Sequence, residues 1–180
     1  QLTILRQLLE RPRRVAVVSH YNPDGDAVGS SVGLVHLLKA AGHSARAILP
    51  NTPGDFLNWL PGRSDVLCLD RSPDAALSTI RTSDLVFCVD FNRLDRIGGL
   101  EEVVRAAKTK VLIDHHQDPE TFAVATFSDT SASSTCQMVV DIAKAMGWES
   151  YIDQAAATCL YTGMVTDSGS FRFRSTTPHT

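Results

Sequence analysis

Five short apolar runs recur along the chain: VAVVS (15–19), ARAIL (45–49), VLCL (66–69), LVFCVD (85–90) and KVLID (110–114). Apolar side chains stand on consecutive positions rather than alternate ones, so both faces of each strand must be buried. Between the runs lie helical patterns. Residues 27–41 place Val28, Val32, Val35 and Leu38 at spacings of three and four and stop at Gly42. Residues 73–81, opened by Pro73, and residues 99–108 also read as helices. This alternation predicts an α/β fold: a Rossmann-like parallel sheet of about five strands, flanked by helices on both faces. After residue 130 the pattern becomes two successive helices, 131–147 and 152–166, forming a helical C-terminal part. The first is expected to be capped by Ser131 or Ser133 and closed by Gly147.

A chain of 180 residues, 43% hydrophobic and 21% charged, suits one soluble domain. A net charge of −3 offers no basic field, which weighs against long duplex nucleic acid. It leaves room for a small phosphorylated ligand gripped by metals and one or two cations. The four cysteines lie in apolar runs without zinc-type spacing and read as free thiols in a core. No signal peptide or apolar run of membrane-spanning length is legible, so the expectation is a cytoplasmic setting and no membrane partner. The Ser/Thr/Pro-rich ending reads as the start of a linker. Residues 1–175 are therefore expected as one domain, excised from the N-terminal part of a longer protein, with 176–180 beginning the linker.

In open parallel sheets ligands bind beyond the carboxyl ends of the strands. The first run empties into His20, Asp24 and Asp26 through Asn-Pro-Asp-Gly-Asp, strong turn chemistry. Taken alone, Asp26 reads as an ordinary helix cap and Asp24 as a turn residue. The fourth run ends at Asp90, which alone reads equally well as a cap or turn residue. The fifth ends at Asp114-His115-His116; adjacent residues on extended backbone point in different directions, so one histidine can face an ion and its neighbour a substrate. The last apolar helix ends at Asp167, where the helix dipole disfavours a carboxylate unless something else holds it. Each cluster has a bland account by itself. Jointly they supply His20, Asp24, Asp26, Asp90, His115 and Asp167, a mixed imidazole and carboxylate set without thiolates. Such a set suits manganese, magnesium or iron better than structural zinc, and its size suits two ions sharing a carboxylate.

These motifs resemble those of the DHH phosphoesterase superfamily: His20-Tyr21-Asn22-Pro23-Asp24-Gly25-Asp26-Ala27-Val28-Gly29-Ser30, then Asp90, then Asp114-His115-His116, then Asp167-Ser168-Gly169-Ser170-Phe171. The Asn-Pro-Asp-Gly-Asp form and the ending Thr-Asp-Ser-Gly-Ser-Phe-Arg-Phe resemble the NrnA-like branch of bifunctional oligoribonucleases and 3′,5′-bisphosphonucleotide (pAp) phosphatases. That branch carries a further substrate-binding domain, DHHA1, whose Gly- and His-rich motif has no counterpart in these residues.

The resemblance implies one divalent ion, Mn²⁺ with Mg²⁺ or Fe²⁺ as alternatives, on His20, Asp24 and Asp90. A second would lie on Asp26, Asp90, His115 and Asp167, with Asp90 bridging. His116 would contact the scissile phosphate, Asp114 would orient a histidine, and Arg96 would face substrate phosphate. The implied reaction is hydrolysis of short oligoribonucleotides, linear or cyclic dinucleotides or pAp by a water activated between the ions. An inorganic pyrophosphatase or exopolyphosphatase of the same superfamily is the near alternative; a non-catalytic nucleotide-sensing domain is the distant one. The resemblance also suggests the apolar helices after residue 131 as a homodimer contact. His36 and His43 are expected to face solvent, and Trp59 with Leu60 to form a hydrophobic plug beneath a loop.

Overall fold

A computed structural model describes the protein over residues 1–180. In chain order the elements are α1 (Leu2–Leu8), β1 (Arg14–Val18), α2 (Gly25–Ala40), β2 (Ser44–Leu49), β3 (Leu67–Cys68), α3 (Pro73–Thr82), β4 (Leu85–Val89), α4 (Glu101–Ala106), β5 (Lys110–Asp114), β6 (Ala125–Ser128), α5 (Thr135–Met146) and α6 (Gln154–Asp167). The strands form one six-stranded sheet ordered β3-β2-β1-β4-β5-β6, and every pairing is parallel. The chain winds outward from β1 to β3, returns to the other side of β1, then winds outward again to β6. That reversal leaves a crevice between the carboxyl ends of β1 and β4, the place where open parallel sheets bind ligands.

Consecutive residues of each strand do face opposite layers. Val15, Val17, Phe87, Val89, Val111 and Ile113 pack in one core with α1, α2 and α5. Ala16, Val18, Val86, Cys88 and Leu112 pack in the other with α3 and α4. The sheet is thus a buried middle layer, as its uninterrupted apolar runs require.

Several elements differ from expectation. The sixth strand, β6, was not legible, because four residues of Ala-Thr-Phe-Ser at a sheet edge carry little apolar signal. Segment 66–69 keeps only Leu67 and Cys68 in the ladder. The helix read at 99–108 is a 3₁₀ segment over Leu94–Leu100 followed by α4, because Gly98 at φ 53° breaks the turn. Ser134, rather than Ser131 or Ser133, caps α5, its side chain accepting from the Gln137 N–H at 3.0 Å. Gly147 closes that helix at φ 78°, as expected.

His43 is buried, its Nδ1 accepting from the Arg13 N–H at 3.2 Å, and His36 turns Nε2 onto the Pro61 carbonyl at 3.0 Å. Neither faces solvent freely. Leu60 is buried, but Trp59 is 63% exposed, so only the leucine plugs the loop. Trp148 packs against the core beside α1 and α5.

Helices α2 and α6 lie unusually close. Gly25, Gly29 and Gly33, four residues apart, form a stripe along α2. A Cβ on Gly25 would meet the Thr166 side chain, one on Gly29 would lie 2.5 Å from the Cys159 carbonyl oxygen, and one on Gly33 would meet Leu160 at 2.7 Å. This stripe lets two helix backbones approach, and it carries Asp26 at the start of α2 to Asp167 at the end of α6.

Candidate metal centre

Six side chains converge at the crevice. From the β1–α2 loop come His20 and Asp24, with Asp26 in the first turn of α2. Asp90 follows β4, His115 follows β5, and Asp167 ends α6. Their donor atoms fall into the overlapping groups His20/Asp24/Asp90, Asp26/His115/Asp167 and Asp90/His115/His116, each with its atoms within 4.8 Å of one another. Asp90 is common to two of them through different oxygens. Oδ2 lies 3.4 Å from His20 Nε2, and Oδ1 lies 3.7 Å from His115 Nε2. His115 Nε2 is also 3.4 Å from Asp167 Oδ2 and 4.0 Å from Asp26 Oδ2. All six residues read from the sequence as candidate ligands are brought together.

The local chain explains how each arrives. Asp24, not Asp26, caps α2: its Oδ1 accepts from the Asp26 and Ala27 N–H groups, each at 3.0 Å. The bland reading of the two aspartates was therefore reversed, and Asp26 is left free to turn inward, where it is 1% exposed. Asn22 is held at φ 55° with its N–H donating to Asn51 Oδ1 at 2.7 Å, which pins the turn. Asp90 adopts φ 64° directly after β4. A left-handed aspartate of this kind costs of order 1–3 kcal/mol and is characteristic of functional sites.

Electrostatics sharpen the picture. Burial drives the Asp26 carboxyl well above the ordinary range, and the Asp90 and Asp167 charges add to the rise. Burial likewise raises Asp167, with Asp90 contributing. Burial alone would raise Asp90, but hydrogen bonding and charge from His20 outweigh it and hold this carboxyl low. Burial would lower His20, yet Asp90 outweighs it and holds the imidazole high. Three buried or half-buried carboxylates facing one another stay ionised together only where positive charge joins them. The donor chemistry therefore fits divalent cations: hard carboxylate oxygens with two imidazoles and no thiolate.

The remaining candidates border this cluster. Asp114 is fully buried and lies 2.7 Å from His116 Nδ1, while also accepting from the His116 N–H at 3.1 Å. That contact raises the His116 pKa despite opposing burial; the positive charge of Arg96 also acts against the rise, placing it within electrostatic reach. Arg96 lies exposed on the 3₁₀ segment, and its carbonyl accepts from the Tyr21 N–H at 2.8 Å. Arg93 pairs instead with Asp95 at 3.3 Å.

Sequence reasoning missed the first turn of α5. The Thr135 N–H donates to Asp26 Oδ2 at 2.6 Å, the Cys136 N–H donates to Asp26 Oδ1 at 2.9 Å, and the Thr135 hydroxyl donates to Asp90 Oδ1 at 2.9 Å. The Ser/Thr-rich stretch before this helix signals a cap, but nothing local signals that it faces residues 45 and 109 positions away.

The profile of the DHH family, N-terminal domain, matches residues 14–164. The chain belongs to the DHH family. Among DHH relatives, the bifunctional oligoribonuclease and PAP phosphatase NrnA of Thermus thermophilus is 33% identical over 167 residues, covering 91% of this chain and 46% of that protein. The cyclic-di-AMP phosphodiesterase PdeA of Listeria monocytogenes is 25% identical over 181 residues, covering 95% of this chain and 27% of that protein. A crystal structure of an exopolyphosphatase-related protein from Bacteroides fragilis superposes with a TM-score of 0.96 at 40% identity, over 98% of this chain and 52% of that one. The chain thus spans about half the length, or less, of the curated relatives it matches. No helix is long and apolar enough to cross a membrane.

Proposed function

We propose that this chain carries a dinuclear metal centre that hydrolyses phosphoester bonds in short oligoribonucleotides, dinucleotides or 3′,5′-bisphosphonucleotides. The observation that carries the reading is the place of Asp90 among six ligand-type side chains: its Oδ2 lies 3.4 Å from His20, which groups with Asp24, and its Oδ1 lies 3.7 Å from His115, which groups with Asp26 and Asp167. His20, Asp24 and Asp90 would hold one ion, and Asp26, Asp90, His115 and Asp167 the other, with Mn²⁺ as the expected metal. Bound there, the ions supply Lewis-acid charge to phosphoryl oxygens and lower the pKa of a water.

The chain's own groups do the rest. Asp114 holds the His116 ring through Nδ1 at 2.7 Å and balances positive charge on it, so that His116 would contact the scissile phosphate. Arg96 adds a second positive charge for phosphate on the same rim. Tyr21, with 55% of its surface exposed, is tied to Arg96 through the backbone and offers an aromatic face to a base. That ring is the feature favouring a nucleotide over inorganic polyphosphate. The names of the two curated relatives, an oligoribonuclease and PAP phosphatase and a cyclic-di-AMP phosphodiesterase, point the same way, while the exopolyphosphatase-related name of the Bacteroides fragilis structure points to polyphosphate. The four buried free cysteines are in keeping with a reducing cytoplasm.

The test is Mn²⁺ titration by calorimetry on wild type and Asp90→Asn, with hydrolysis of pAp, a dinucleotide and pyrophosphate followed in parallel. Asparagine tolerates left-handed backbone and can still accept from Thr135, so the fold should persist. Two ions per wild-type chain, with binding and hydrolysis lost in the variant, is the expected outcome. A folded wild type that binds no Mn²⁺ would overturn the reading, and preference for pyrophosphate would overturn its nucleotide part.

A further inference from the structure

We propose that Thr135 is a positioning residue of this centre: its hydroxyl fixes the rotation of the Asp90 carboxylate so that each oxygen faces one half of the site. The inference rests on the dinuclear reading above and concerns what makes one aspartate able to serve both halves.

A carboxylate turns easily about its last side-chain bond, whose energy profile is broad. A quarter turn of Asp90 would swing Oδ2 away from His20 and Oδ1 away from His115. Neither histidine can prevent this when loaded with metal, because an imidazole that binds a cation through Nε2 has no proton there to donate. With His20 Nε2 given over to an ion, the Thr135 hydroxyl, at 2.9 Å from Oδ1, is the side-chain donor left to that carboxylate. It addresses only the oxygen on the His115 side, so it distinguishes the two oxygens that the metal groups share.

Thr135 is itself held from several directions. It is fully buried in the first turn of α5, behind the Ser134 cap. Its N–H is spent on Asp26 Oδ2 at 2.6 Å. Ahead of it, the Ser133 N–H and hydroxyl both donate to Gln137 Oε1, at 3.0 and 2.8 Å, locking the entry to the helix. One residue thus touches a carboxylate of each kind: Asp26 through its backbone and the shared Asp90 through its side chain. A hydroxyl suits the place physically. It orients the carboxylate without adding a positive charge that would compete with the cations, as a lysine or arginine would.

The experiment is Mn²⁺ calorimetry on wild type, Thr135→Val and Thr135→Ser, with a melting curve of each metal-free protein. Valine keeps the shape and removes the O–H, so one of the two binding steps should weaken about 10- to 100-fold, as for other groups that orient metal ligands. The other step should remain, and serine should restore the wild-type isotherm. Weakening of both steps in proportion to a lower Tm would mean a merely structural role and overturn the inference. So would a Thr135→Val isotherm identical to wild type, or failure of serine to rescue. If the valine variant does not fold, Thr135→Ala removes the hydroxyl without placing a methyl group against Asp90 and is read in the same way. Wild-type protein that binds fewer than two ions would instead take down the dinuclear reading, and this inference with it.

Discussion

Gly29→Ala tests whether the glycine stripe on α2 builds the site. The added Cβ would stand 2.5 Å from the Cys159 carbonyl oxygen, 3.1 Å from Cys136 Sγ and 3.2 Å from the Gly163 backbone nitrogen. Comfortable contact for a carbon atom is about 3.5 Å, so α6 must retreat by about 1 Å. Helix propensity alone favours the substitution by about 1 kcal/mol. Overpacking costs about 1–3 kcal/mol, and a backbone carbonyl cannot swing aside as a flexible side chain can, which puts this site at the upper end. The net expectation is a loss of about 2 kcal/mol, or a fall in Tm of about 4–8 °C for a chain this long. Because Asp26 sits on α2 and Asp167 ends α6, the same retreat should weaken Mn²⁺ binding. Thermal melts and calorimetry on the two proteins measure both effects. A variant that melts higher than wild type and binds Mn²⁺ unchanged would show that propensity wins and that the close approach does not matter.

Two further outcomes follow from other parts of the molecule. Arg14 and Asp84 pair at 2.9 Å, and hydrogen bonding from the Arg14 side chain lowers the Asp84 pKa to about 2. A depressed carboxyl stabilises the fold above its unfolded pKa of about 4, so the Tm gap between wild type and Asp84→Asn should hold above that pH and close on acidification. A gap that widens as pH falls would contradict this. Leu60→Ala should cost about 2–5 kcal/mol in denaturant titration, whereas Trp59→Ser, at an exposed ring, should stay within about 0.5 kcal/mol; equal losses would mean that both residues plug the loop.

The cluster of six ligand-type side chains was legible in the sequence because five follow apolar strands whose ends share one edge of a parallel sheet and the sixth, Asp167, ends an apolar helix. Asp90 and Asp114 show the limit of that reasoning: both end central strands, yet one faces the histidines of the cluster and the other props His116 from behind. Their roles depend on side-chain direction, which differs at φ 64° after β4. Edge strand β6 escaped because it is short and half exposed, and the capping serine of α5 was misassigned because several neighbouring serines carry the same local signal.

Periodicity and residue type, which act over a few positions, were thus enough to determine the parallel sheet, its buried strands and the six ligand-type side chains. Tertiary structure alone decided which aspartate caps α2 and which is buried, how closely α2 and α6 approach, and that Thr135 meets both Asp26 and Asp90. The physical reason is range. A cap or a strand is selected by its neighbours along the chain, whereas the contacts of Thr135 with Asp90 and Asp26 span 45 and 109 positions and exist only once the helices have packed.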